Sequence, residues 1–225
     1  FDEDFRPLAL SGSGTVAGRV VFAGYGTTAR EYGYDDYAGI DVRGKLVIVM
    51  RHEPQEFDWR SIFSGRVYTN HGQLQAKAAN ARAHGAAAVL FVNDKPNHPS
   101  ESGALAPFTP LPGPPPAGLP FVEVRSEIVE AWLKPAGRSL ADIVNGIDRD
   151  LRPRSFNLPA SLRVELTAAV EQETREVYNV AGYVAGATPE YVIIGAHYDH
   201  VGLGEQFSMA SGGAGAIHYG ADDNA

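Results

Sequence analysis

Short apolar runs, separated by glycines and by one helix-forming stretch, dominate the first two-thirds of the chain. Arg19 to Ala23 reads as a strand ending at Gly24-Tyr25-Gly26, where glycine opens backbone angles closed to other residues. Lys45 to Met50 is a continuous apolar run of strand length, the pattern of a strand covered on both faces. Gly72 to His84 is rich in Ala, Gln, Lys and Leu, all strong helix formers, and Gly85 follows as a stop. Ala86 to Val92 returns as another buried strand. This strand–helix–strand order predicts an α/β (or α+β) fold.

The second part of the pattern is more varied. Between Asn97 and Pro120 proline recurs too often for regular structure, which predicts a long irregular surface loop rather than a polyproline ligand. Leu119 to Val124 restarts a strand. Ser126 to Lys134 and Ser139 to Ile147 follow as two short helices, each with a serine placed to cap it. Pro153 and Pro159 bracket a linker-like stretch, and a domain boundary is expected near residue 155. Beyond it, Leu162, Val164, Leu166, Ala168 and Val170 alternate with polar residues, the period of a half-buried antiparallel strand. Val177 to Ala185 is expected to return alongside it. Tyr191 to Ala196 then forms an apolar strand running into His197.

Composition narrows the partners. The chain has 225 residues, 44% hydrophobic and 20% charged, the balance of an ordinary globular protein. Acidic residues outnumber basic ones 27 to 19, a formal net charge of -8 with no basic run, so nucleic acid is not an expected partner. No apolar stretch approaches the length of a membrane span. Cysteine is absent, which excludes disulfides, thiolate nucleophiles and Cys-ligated zinc but does not identify a compartment. The first residue is Phe1 rather than Met, so the natural N-terminus is expected to have been processed, trimmed or left out, and the lack of a visible signal peptide says nothing about export.

The chemistry lies near the end. Zinc favours imidazole nitrogen and carboxylate oxygen, and His197 stands where a buried strand ends, the usual place for functional groups in an open α/β sheet. Asp199 is two residues on, near enough to orient the imidazole if the chain bends. Gly220-Ala221-Asp222-Asp223-Asn224-Ala225 is a tight acidic turn, and the two oxygens of Asp223 suit it to bridge two cations. A His-x-Asp pair alone is more often structural, and an Asp-Asp-Asn turn is usually only a turn. Together, at the end of an apolar strand, they point to a metal site. His200 and His218 read as polar loop residues, and the glycines between Gly202 and Gly215 as a loop at the mouth of a cleft. His52, His71, His84 and His98 read as structural or surface residues, with Trp59 and Trp132 as packing anchors.

Gly195-Ala196-His197-Tyr198-Asp199-His200 with Gly220-Ala221-Asp222-Asp223-Asn224-Ala225 closely resembles the co-catalytic di-zinc aminopeptidases of metallopeptidase family twenty-eight. Upstream, Phe22-Ala23-Gly24-Tyr25-Gly26, Tyr34-Asp35-Asp36-Tyr37, Val42-Arg43-Gly44-Lys45 and His84-Gly85-Ala86-Ala87-Ala88 resemble the protease-associated (PA) domain often inserted in them. The resemblance implies a PA domain of strands with short helices over residues 1–155. The N-terminal part of a zinc peptidase domain, with the first strands of its α/β sheet, would occupy 156–225. It makes His197 a ligand of one zinc, Asp223 the bridging ligand of two, and Asp199 the residue that orients His197. Asp222 competes with its neighbour on sequence alone.

The implied activity is removal of N-terminal residues from peptides by a metal-activated water, in a secreted or periplasmic protein. The same scaffold also serves carboxypeptidases and glutaminyl cyclases, and a non-catalytic receptor is a further reading. The family's Glu-Glu pair, a further acidic ligand and a distal His have no match before Ala225. A C-terminal part of the peptidase domain is therefore expected to complete fold and site, and the 225 residues alone are expected to be inactive.

Overall fold

A computed structural model describes residues 4–93, 97, 105, 108, 117–173, 176, 178–197, 217 and 219. Its elements, in chain order, are β1 (Phe5–Pro7), β2 (Gly14–Phe22), β3 (Thr28–Ala29), β4 (Tyr34–Asp35), β5 (Leu46–Met50), α1 (Leu74–Ala83), β6 (Ala88–Val92), β7 (Phe121–Val124), α2 (Ser126–Leu133), α3 (Leu140–Asp150), β8 (Phe156–Asn157) and β9 (Arg163–Ala168). The main sheet runs β1-β7-β6-β5-β2-β8, with β9 also paired to β2. Its centre is parallel, β2 to β5, β5 to β6 and β6 to β7, while β1, β8 and β9 join antiparallel. Strands β3 and β4 form a separate hairpin. The expected α/β class is borne out.

The continuous apolar runs arise because both faces of the sheet are covered. Leu46, Ile48 and Met50 of β5 face one side, where Val129, Leu133, Leu140, Ile143, Val144 and Ile147 of α2 and α3 complete the core. Val47 and Val49 face the other side, where Ala78 and Ala81 bring α1 close to Val89, Phe91 and Phe121. All five β5 residues are fully buried, and each such side chain contributes about 1.5–3 kcal/mol of transfer free energy.

The two serine caps part company. Ser139 caps α3, its hydroxyl accepting from the Asp142 amide at 3.1 Å. Ser126 lies inside α2, and Arg125 takes the cap position without a side-chain capping bond. The helix thus begins one residue earlier than a Ser126 cap requires, directly after Arg125, whose amide still donates to the Asp4 carbonyl at 3.0 Å. Ser139→Ala is expected to cost about 1 kcal/mol in urea unfolding, and Ser126→Ala clearly less.

The chain divides by contacts into two units, Phe1–Glu171 and Gln172–Ala225. The first unit runs past residue 155 because β2 is nine residues long and pairs with β5 only from Val20 to Phe22. Its N-terminal part, Gly14 to Arg19, is completed by β9, residue against residue. The alternating segment is thus the half-buried strand its pattern predicts, but its partner is β2. Residues 178–185, expected to pair with it, have no regular secondary structure among the described residues.

Candidate metal centre

His197 belongs to the second unit, where residues 191–197 are exposed and have no regular secondary structure. Val192, Ile193 and Ile194 are 92%, 90% and 94% exposed. The expectation of a buried strand here is corrected: such a strand requires hydrogen-bonded neighbours and covering helices, and the described residues of this unit form neither. Asp199 and Asp223 lie outside the described residues, as do Asp222, His200, His218 and the span from Gly202 to Gly215. Among the described residues, no three His, Cys, Asp or Glu side chains gather in a way that would hold a metal. Imidazole with carboxylate is nevertheless the donor chemistry of catalytic zinc, so His197 and Asp223 are of the kind that ion takes. His197 is the one whose position is described.

The first unit gathers a different polar cluster, which the hydrophobic pattern does not announce. Asp36 is fully buried; its Oδ2 accepts from the amides of Tyr25 (2.9 Å) and Thr27 (3.1 Å), and its Oδ1 from the Tyr34 hydroxyl (2.8 Å). Burial pushes the Asp36 carboxyl up to about 7, against these hydrogen bonds and the field of Lys77, which pull it down. Burial likewise raises Tyr34 well above the ordinary phenol range, helped by the Asp36 charge. Lys77, 1% exposed, donates to the carbonyls of Tyr25 (2.6 Å) and His52 (2.5 Å). The Tyr25 residue therefore binds the acid through its amide and the cation through its carbonyl. Sealed from solvent, Asp36 and Lys77 hold the Gly24–Thr27 turn rather than meet a substrate. The matching signal in the sequence was the Tyr34-Asp35-Asp36-Tyr37 run beside Gly24-Tyr25-Gly26.

Three of the scattered histidines have structural partners. His52 stacks on Tyr68 with Nδ1 3.1 Å from Glu56, His71 lies 2.7 Å from Glu31, and His84 stacks on Tyr37 at 4.2 Å. His98 lies outside the described residues. Trp132 packs against the core, but Trp59 is 83% exposed and anchors nothing, a correction explained by its place on a surface turn.

A family model of the PA domain matches residues 14–132, and one of peptidase family M28 matches residues 179–225. Among solved structures, an aminopeptidase from Aneurinibacillus sp. strain AM-1 is similar at 18% identity and TM-score 0.39, over 73% of this chain and 29% of that one. A zinc aminopeptidase from Bacillus subtilis is similar at 25% identity and TM-score 0.37, over 60% of this chain and 26% of that one. The chain thus spans less than a third of the length of either enzyme. No curated protein matches it in sequence.

Proposed function

The chain belongs to the PA domain family through residues 14–132, and from that premise we propose that it is part of a metal-dependent exopeptidase removing N-terminal residues from peptides. The observation that carries this reading is the M28 match over 179–225, the stretch that holds both His197 and the Asp222-Asp223 turn. The domain of the PA type is proposed to occupy 1–155 with its flanking segments, and the peptidase part to begin in 156–225. The proposed cofactor is zinc, two ions per site, which when bound supplies Lewis-acid activation of water and of the scissile carbonyl.

His197 would donate one imidazole nitrogen to one zinc, and Asp223 would bridge the pair with its two oxygens. Asp199 would accept from the other imidazole nitrogen, fixing the tautomer and ring angle. Export to the periplasm or exterior is part of the same proposal. No helix among the described residues is long and apolar enough to cross a membrane.

The test is metal content and hydrolysis of aminoacyl and peptide substrates by the whole protein that carries this chain. His197→Ala and Asp223→Ala are expected to lose both bound metal and activity, and Asp199→Asn to lose about 10–100-fold in activity or metal affinity. Full activity in both ligand variants would sink the assignment. Release of C-terminal residues, or cyclisation of N-terminal glutamine, would move the protein to another chemistry. The 225 residues alone are proposed to bind zinc weakly and leave aminoacyl substrates intact, because His197 and Asp223 fall short of the donors tetrahedral zincs require. Chelator-sensitive hydrolysis by them would overturn that part.

A further inference from the structure

The segment joining β5 to α1 departs at several positions from the usual placement of charge and apolar surface. Two of its three acids point inward, while Asp58 stays at the surface beside Arg60. Glu53 is fully buried and accepts from the Thr69 amide (2.7 Å) and hydroxyl (2.6 Å). Glu56, 1% exposed, accepts from the Tyr68 hydroxyl and sits 3.1 Å from the His52 ring. Gln55 ties the segment to α3 through the Asp148 carboxylate and carbonyl, both at 2.7 Å. Four non-glycine residues take left-handed angles, His52, Gln55, Ser64 and Tyr68, with φ of 58°, 56°, 64° and 53°. Such angles are unfavourable for L residues and persist where surrounding contacts fix them, which is common at functional loops.

Four of its large apolar side chains point outward, while Phe63 is fully buried. Phe57 is 49% exposed, Trp59 83%, Ile62 46% and Val67 74%. The Arg60 guanidinium lies 5.7 Å from the centre of the Trp59 ring, and Arg66 5.3 Å from that of Phe57. Aromatic rings with arginines on them are the composition of interface hot spots, and a pre-ordered loop loses little entropy on binding. An apolar patch of this kind on a soluble surface marks an interaction site.

The rim selects the partner. Arg60 pairs with the exposed Asp58 carboxylate at 3.4 Å, and with Arg66 the rim keeps a net positive charge that calls for carboxylates opposite an apolar centre. An anionic bilayer is disfavoured by the chain's net charge of -8. A second copy is disfavoured by area, since stable pairs bury about 800 Å² on each side and four side chains expose less. We propose that the surface built by Phe57, Trp59, Arg60, Ile62, Arg66 and Val67 docks a polypeptide segment that is both acidic and apolar. The inference stands on this loop alone and does not depend on the peptidase reading.

Three synthetic peptides test it: one alternating Leu and Phe with Asp and Glu, one with Lys in place of the acids, and one with Ser in place of the apolar residues. The readout is tryptophan fluorescence, with Trp59→Phe assigning the signal between Trp59 and Trp132. The acidic apolar peptide is expected to shift the emission to the blue, saturably, while the other two bind at least about tenfold more weakly. Arg60→Gln with Arg66→Gln, and separately Trp59→Ala, are expected to weaken that binding about tenfold or more with the urea midpoint unchanged. Equal binding of the acidic and basic peptides, or none from the acidic one, overturns the proposal. So does preferential binding to phosphatidylserine vesicles, which makes the occupant a bilayer. Self-association in ultracentrifugation that Trp59→Ala abolishes also overturns it, by making the occupant a second copy.

Discussion

Gly24→Ala is expected to destabilise the first unit by about 3–5 kcal/mol, among the larger effects a single methyl group can have. Gly24 has φ +51°, and a Cβ there would lie 2.0 Å from Oδ1 and 2.6 Å from Cγ of Asp36. A flexible surface carboxylate would swing aside. This one is held by the amides of Tyr25 and Thr27 and by the Tyr34 hydroxyl, with no solvent to receive it. Either the turn opens and these bonds are lost, or the carboxylate moves and they are lost. Gly33→Ala is the control, because Gly33 has a similar φ of +66° but nothing within 4 Å of its added Cβ. That variant carries only the left-handed backbone cost of about 1 kcal/mol. Urea unfolding of both separates packing from backbone strain; equal, mild losses would mean that Asp36 is not fixed as described.

The parts of the fold legible in the sequence are those set by burial alone. The runs at Lys45 to Met50 and Ala86 to Val92 are apolar on both faces because both faces of the sheet are covered, and they emerge as β5 and β6. The alternation from Leu162 to Val170 emerges as β9, with Leu166 and Ala168 buried between exposed residues. Pairing is a different matter, since a strand is completed by a neighbour its own sequence does not name. Hence β9 joins β2 rather than the following segment, and the apolar stretch before His197 has the composition of a buried strand without forming one among the described residues. The start of α2 lies one residue before the one a Ser126 cap requires, directly after Arg125, whose amide still pairs with the Asp4 carbonyl.

Of the proposed centre, the sequence offers candidate donors by type and spacing, but their assembly depends on contacts between distant segments, and Asp199 and Asp223 lie outside the described residues. The polar cluster of the first unit was hidden for the opposite reason. Asp, Glu and Lys are seldom fully buried, so a reading by hydropathy sends Asp36, Glu53, Glu56 and Lys77 to the surface. Here backbone amides, carbonyls and hydroxyls meet each of them, which satisfies their polar atoms inside the protein. The same inversion leaves Trp59 outside. An acid turned inward at Glu56 and a ring turned outward at Trp59 are two sides of one loop conformation, and neither follows from local pattern.

The carboxyl of Asp36 makes the stability of the first unit depend on pH in a direction opposite to that of an ordinary paired carboxylate. Its proton is held up to about 7 in the folded protein, chiefly by burial, against an ordinary value of 3.8. Between these values the folded state keeps a proton that the unfolded chain has released. Stability from this group is therefore fully present below about pH 4, falls as pH rises, and is gone above about pH 7. About three units at 1.36 kcal/mol each give a swing of about 4 kcal/mol. Asp36→Asn stays neutral throughout. One amide oxygen takes the place of the acceptor for Tyr25 and Thr27, and the amide nitrogen faces the Tyr34 oxygen as the protonated acid would. The asparagine variant is therefore expected to match the natural protein within about 1 kcal/mol at pH 4–5 and to exceed it by several kcal/mol at pH 8. Urea unfolding across that range reads the difference directly, and subtracting the two curves removes other titrating groups such as Asp148, which burial also raises. A difference that stays flat with pH would mean that three hydrogen bonds and Lys77 outweigh desolvation, and that Asp36 is charged throughout. Lys77→Met tests the balance from the other side: with the cation gone, the midpoint of the pH-dependent loss is expected to move upward, since the charged form of Asp36 has lost the positive field of Lys77.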